Sequence, residues 1–351
     1  DHRDLHSFPT RRSSDLLTEL MSDPTLTKDR VDLCRQDLEA ALKHDPSDGE
    51  AAYALAAWHR IMGERAKASG SDEAAKDHRE RSREVLVEVC RRVSPGSNGT
   101  PHPLGPIALL TMDAGDIELI PTAGLSADEV IRRKTAALDA LAPRVGEVIE
   151  QLKATDPSLV TSAIASRVVG VAPRIDTKNG LALARSLLDH LLKSRPDDMD
   201  LLIMRAQLLQ VSPPPPEEPA KPDAVMAAYQ AVIDLPDKPV SFEGLRLLGT
   251  RNRARFAQAS VAMSMMMSPS LSEEERKRAV ATAREKRNEL AKHVLESSSE
   301  VQFLDAKMAV YDGDLGRARR LLAEFLRKPG EAGAASVLEA HLMMADVGQR
   351  L

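Results

Sequence analysis

Aromatic residues are scarce in this chain. They make up 3% of 351 residues, with one Trp, three Tyr and five Phe. Sheets draw on aromatic and β-branched side chains to fill a pleated, half-buried surface, so this composition argues against a β fold. Cysteine is nearly absent too. Cys34 and Cys90 stand far apart, each inside a helical pattern, which excludes a disulfide framework and a cysteine zinc site. They read as two small buried side chains. No apolar run reaches the roughly 18 residues of a membrane span. Neither sign of charge dominates: 48 Lys and Arg face 53 Asp and Glu, a net charge of -5. That balance lacks the basic domain of a nucleic-acid binder and the polybasic patch of a membrane binder. Beyond residue 16 there is no HExxH, CxxC, GxGxxG, GxxxxGK[ST] or GxSxG, the patterns that carry metal, phosphate and acyl-transfer chemistry. His44, His59, His78, His102, His190, His293 and His341 are scattered singly. No metal, no cofactor and no enzyme activity is expected.

What remains is abundant in Ala, Leu, Glu, Arg and Lys, the strongest helix formers, with 42% apolar residues to build a core. The expected class is all-α.

Residues 1–16, DHRDLHSFPTRRSSDL, translate back codon by codon into one frame of a widely used short-read sequencing adapter. They are read as a non-native segment to be set aside before any reasoning about fold. The natural start is then expected to be lost, which leaves a cytoplasmic and a periplasmic home equally open.

From there a grammar recurs. In Asp37 to Glu64, Leu33, Leu38, Ala41 and Leu42 form one stripe. Asp45-Pro46 ends that helix, because the residue before proline is pushed out of the α region. Ser47 or Asp48 caps the next helix, whose stripe is Ala51, Leu55, Ala56 and His59. Ala182 to Gln210 repeats the pattern with Ala184, Leu188 and Leu191 before Pro196, then Leu202, Ala206 and Leu209. A third copy follows Glu300, with Ala306, Gly313, Ala318, Leu322 and Phe325 ahead of Pro329. Asp223 to Pro236 looks like one further helix, and the stretch ending at Pro157 is weaker.

These units resemble the tetratricopeptide repeat family, whose helix–turn–helix repeats of about 34 residues place small residues at helix crossings and a proline near the end. Pro157, Pro196 and Pro236 are spaced by 39 and 40, so turns or helices are lengthened here. The resemblance implies an α-solenoid of antiparallel helix pairs, with Ala56, Ala206, Ala306 and Ala318 buried at crossings. It divides the chain into helical repeats over 17–211, a Pro-rich linker at 212–222, and further repeats over 223–351.

Three segments interrupt the pattern. Ser94 to Pro106 holds too many Gly and Pro to be helical; its Asn98-Gly99-Thr100 is a turn or a glycosylation sequon. Ser212 to Pro222 is stiff polyproline, an inter-helix insertion or an SH3-type ligand. Met263 to Met267 is core packing or an adaptable partner surface. Gly244 to Gln258 is the most basic stretch; its RNRAR with Phe256 is an RNA or phosphate contact or, in the favoured reading, a plain helix face, since no stacking platform accompanies it. Ser272, followed by three Glu, reads as a helix cap with anions in the first turn.

In the family the first helix of each pair lines a concave groove that binds peptides or proteins. Carried onto this chain, the groove residues are Tyr53, Ala57, Arg60 and Ile61, then Ile203, Gln207 and Gln210, then Phe303, Lys307, Val310 and Tyr311. Tyr53, Arg60, Phe303 and Tyr311 are the candidate anchors, against the alternative that Tyr53 and Phe303 merely pack between helices. The basic-plus-asparagine clamp that some members use for C-terminal carboxylates is missing, those positions including Tyr53 and Ala57, which disfavours a chaperone-tail ligand. The first expectation is a non-enzymatic interaction scaffold. The second is the repeat region of a larger protein whose catalytic, secretion or membrane domain lies elsewhere.

Overall fold

A computed structural model describes residues 28–91, 102–118, 120, 122, 124–211, 221–239, 241–330 and 333–351. The adapter-like segment, the sequon at Asn98 and most of the Pro-rich linker lie outside the described residues. Among those described, fourteen helices and no strands occur. The chain divides into two compact units, one ending at Ser194 and the other starting at Arg195.

The first unit holds α1 (Lys28–His44), α2 (Gly49–Ala68), α3 (Asp72–Arg91), α4 (Leu104–Glu118), α5 (Ala127–Ala154), α6 (Ser162–Ile175) and α7 (Gly180–Ser194). Each helix packs on the next, and α2 on α4, α4 on α6 and α5 on α7. Contacts to the next helix and the next but one are what stacked antiparallel pairs produce. The starts are written in the sequence. Asp48 accepts from the Ala51 amide, Ser126 from Glu129 and Thr161 from Ile164, each satisfying an amide that a helix start leaves orphaned.

The α2 stripe is as expected, with Ala51, Leu55, Ala56 and His59 all buried. On α1 the stripe is turned: Val31, Cys34 and Leu38 enter the core while Leu33 stays exposed. Val31, Cys34 and Leu38 follow the i, i+3, i+7 spacing of one helix face and pack with Leu55 and Trp58, and the Trp58 Nε1 donates to the Val31 carbonyl at 3.2 Å. At the α2–α3 crossing Ala56 is small enough for Ser82 to donate its hydroxyl to the Ala56 carbonyl at 2.9 Å. The segment 94–106 is partly helical after all. Leu104, Gly105 and Pro106 form the first turn of α4, where a proline forfeits no intrahelical bond.

The second unit holds α8 (Met199–Val211), α9 (Lys221–Ile233), α10 (Phe242–Met266), α11 (Glu273–Ala291), α12 (Ser299–Tyr311), α13 (Leu315–Arg327) and α14 (Gly333–Arg350). Within it α8 pairs with α9, α10 with α11 and α12 with α13, while α8 also touches α10 and α10 touches α12. Ser272 and Glu275 form a full capping box at the start of α11. Gly313 takes φ 76° in the α12–α13 turn, a left-handed conformation that costs glycine least. Ala206, Ala306 and Ala318 are wholly buried, as the repeat grammar requires. Ala306, Ala318, Leu322 and Phe325 share a core with Phe303. Met263 and Met266 are buried among Ala259, Ala262 and Leu290, so most of the methionine run is core; Met267 alone is exposed.

Candidate functional site

In the first unit, α2 packs on α4 and α4 on α6. Tyr53 rises from α2, half-buried, onto a small cluster that includes Leu109 and Met112 of α4. From α6 comes Arg167, whose guanidinium carbon lies 3.6 Å from the centroid of the Tyr53 ring. Side chains of α2 and α6 thus meet across α4. Arg167 has no carboxylate partner among the described residues, and its Nη1 is enclosed without an acceptor. Two turns along α2 from Tyr53, past the half-buried Ala57, Arg60 is exposed. It too forms no ion pair among the described residues. Most nearby cations are spoken for. Arg83 and Arg144 both hold Asp113, and Arg79 holds Asp116.

The second unit treats its candidates differently. Ile203 is half-buried against the α8–α9 core and Gln207 is exposed. Phe303 is 0% exposed, with the Phe325 ring stacked 4.8 Å away and Phe256 on its other flank at 6.4 Å. It is a core residue, which corrects its placement on an open groove. Its two neighbours, Phe256 and Phe325, come from α10 and α13, so the packing alternative holds for this ring. Lys307 is sealed as well. Its ammonium lies 5.0 Å from the Phe303 ring and pairs with Glu339 of α14 at 2.6 Å. Tyr311 stays exposed. Of these positions, Tyr53 and Arg60 lie two turns apart on one helix, Ile203 is half-buried, Gln207 and Tyr311 are exposed on two other helices, and Phe303 and Lys307 are core. Sequence reasoning missed Arg167, since nothing near it signals a partner more than a hundred residues away.

Three other places hold chemistry-bearing groups. His59 and His78 face each other at 3.1 Å between Nδ1 atoms, with Trp58 edge-on to both rings. Burial, then the neighbouring His78, Arg81 and Arg35, pushes His59 down to about 4, and burial lowers His78. The pair is therefore neutral at pH 7, one ring donating to the other. Cys34 and Cys90 are pushed up to about 11 by burial, so both are thiols rather than reactive thiolates. The basic stretch on α10 is spent internally. Arg251 bonds Asp237 and the Leu235 carbonyl, while Arg253 bonds Thr250. Arg255 is buried and bonds Asn252. No group of three or more His, Cys, Asp or Glu suited to a metal ion occurs among the described residues. No described helix is long and apolar enough to cross a membrane. No protein-family profile and no curated protein matches the chain.

Proposed function

We propose that the chain is a non-enzymatic interaction scaffold of tetratricopeptide-like helix pairs, an α-solenoid that binds peptide or protein partners along the face of its leading helices. The observation that carries this reading is the Tyr53–Arg167 stack over α4, with Arg60 on the same face of α2. A half-buried aromatic beside two arginines without a carboxylate partner among the described residues is residue chemistry from which binding hot spots are built. The interior of each unit is built mainly of Ala, Leu, Val and Ile.

The test is an array of immobilised random dodecapeptides probed with the full chain and with a Tyr53→Ala/Arg60→Ala variant whose helicity is checked by circular dichroism. The wild type should retain a sequence-related subset and the variant should lose it. A folded variant that retains the same peptides equally removes this face from the binding surface. Wild type that retains none defeats the scaffold reading.

A further inference from the structure

We infer that Arg255 of α10, with Asn252 one turn before it and Lys292 and His293 at the end of α11, forms a site for a phosphate dianion, free or as a monoester. The site belongs to the second unit and does not depend on the Tyr53 face. It gives a use to one arginine of the basic run that the fold does not consume.

Arg255 is only 9% exposed, and no acid pairs with it among the described residues. Its Nη1 donates to the Asn252 Oδ1 at 2.9 Å, a neutral acceptor that leaves the charge unmatched. Its Nε is enclosed without a partner. Nη2 also lacks a partner but is open to solvent, so a ligand reaches the guanidinium there. A cation taken out of water without a counter-charge is costly to hold. Burial lowers the Arg255 pKa, Glu289 opposes that, and Arg251 adds to it.

The acids around it are committed elsewhere. Glu289 holds Lys286 at 3.1 Å, and Asp237 holds Arg251 at 2.6 Å. Cancelling those pairs leaves Arg255 and Lys292 as unmatched cations. Lys292 is exposed and forms no ion pair among the described residues. The two helices are locked at this level, since Phe256 and Ala259 of α10 pack in one cluster with Leu290, Ala291 and Val294 of α11. Burial and then Arg255 lower the His293 pKa, so its ring is neutral at pH 7 and donates from one nitrogen. The guanidinium edge, the Asn252 amide, an ammonium and an imidazole are donors suited to tetrahedral oxygens. Two unmatched charges fit a phosphate or phosphomonoester, whose second pKa near 6 makes it largely dianionic at neutral pH. A phosphodiester carries one charge and leaves the other cation unmatched.

The test melts the full chain at pH 7 and one ionic strength with inorganic phosphate, O-phosphoserine, dimethyl phosphate or chloride. Inorganic phosphate should raise the far-UV circular dichroism midpoint saturably, as a ligand of the folded state does. The fluorescence midpoint of Trp58, in the first unit, should stay. Chloride and the diester should move neither. An equal response to O-phosphoserine assigns the site to monoesters as well, and a response to inorganic phosphate alone assigns it to the free ion. Arg255→Met should abolish the response. Lys292→Met should weaken phosphate about ten-fold, the effect of removing one charge-assisted bond. Lys292 is exposed, so this variant decides the matter even if Arg255→Met misfolds. A wild-type midpoint that moves equally with chloride or dimethyl phosphate, or a Lys292→Met chain with an unchanged phosphate response, overturns the inference. Neither result bears on peptide binding by the first unit.

Discussion

The two units use one grammar of helix pairs and spend their aromatics and charges in opposite ways. The second unit stacks Phe303 on Phe325 and seals Lys307 against Glu339. The first keeps its one tryptophan beside a pair of neutral imidazoles and turns Tyr53 and Arg167 outward. Filled crossings make the second unit a packing device. The first trades packing for polar groups that respond to what surrounds them. Trp58 is the only tryptophan in the chain and sits in the first unit, so its fluorescence reports that unit alone while far-UV circular dichroism reports both.

The largest expected effect that would break the comparison is in the second unit. Phe303→Ala removes a wholly buried ring and should cost about 3–5 kcal/mol. The loss should appear in the circular dichroism transition and leave the Trp58 transition in place; a Phe303→Ala chain with an unshifted dichroism midpoint would mean the ring is not core. Next comes Glu339→Ala, which strands the ammonium of Lys307 in the interior. A cost of about 2–3 kcal/mol is expected, below the full range for a broken buried pair because Glu339 itself is partly exposed. Adding Lys307→Met should recover most of it, and a double variant no more stable than Glu339→Ala would show that the charge was never desolvated.

Acid should act on the first unit. His59 is held at about 4 in the folded chain, against about 6.5 unfolded. A base with a depressed folded value gives stability that is complete above the unfolded value and is lost as pH falls toward the folded one. The Trp58 transition should therefore weaken between about pH 6.5 and 4, by on the order of 2–3 kcal/mol. His59→Phe should flatten that profile, and a wild-type Trp58 midpoint that is constant across the window would contradict the neutral pair. The smallest effect is Asp48→Ala, which frees the Ala51 amide at the start of α2 and should cost about 1 kcal/mol. It should be seen in the Trp58 transition and not in that of the second unit.

Helix starts and crossings were legible because their causes are local. Pro46, Asp48, Ser272 with Glu275, Gly313 and the buried alanines each act within a few residues. The facing of side chains was not, because it is decided by neighbours distant in the chain. Leu33 and Val31 are both apolar, and it is Val31 that shares a face with Cys34 and Leu38 against Leu55 and Trp58. Phe303 resembled a groove aromatic until Phe256 and Phe325 closed over it. Tyr53 and Arg60 were singled out by the resemblance, whereas Arg167 came beside Tyr53 only once α6 was laid beside α4. Pro106 misled through composition: a proline that breaks a helix interior is harmless in its first turn.

The two cysteines make the first unit a clock. Cys34 is wholly buried in α1 and Cys90 partly in α3, both uncharged at neutral pH. An alkylating reagent can modify Cys34 only in the moments when the first helices part, so its rate of labelling counts those openings directly. The second unit has no cysteine, so the count reports the first unit alone.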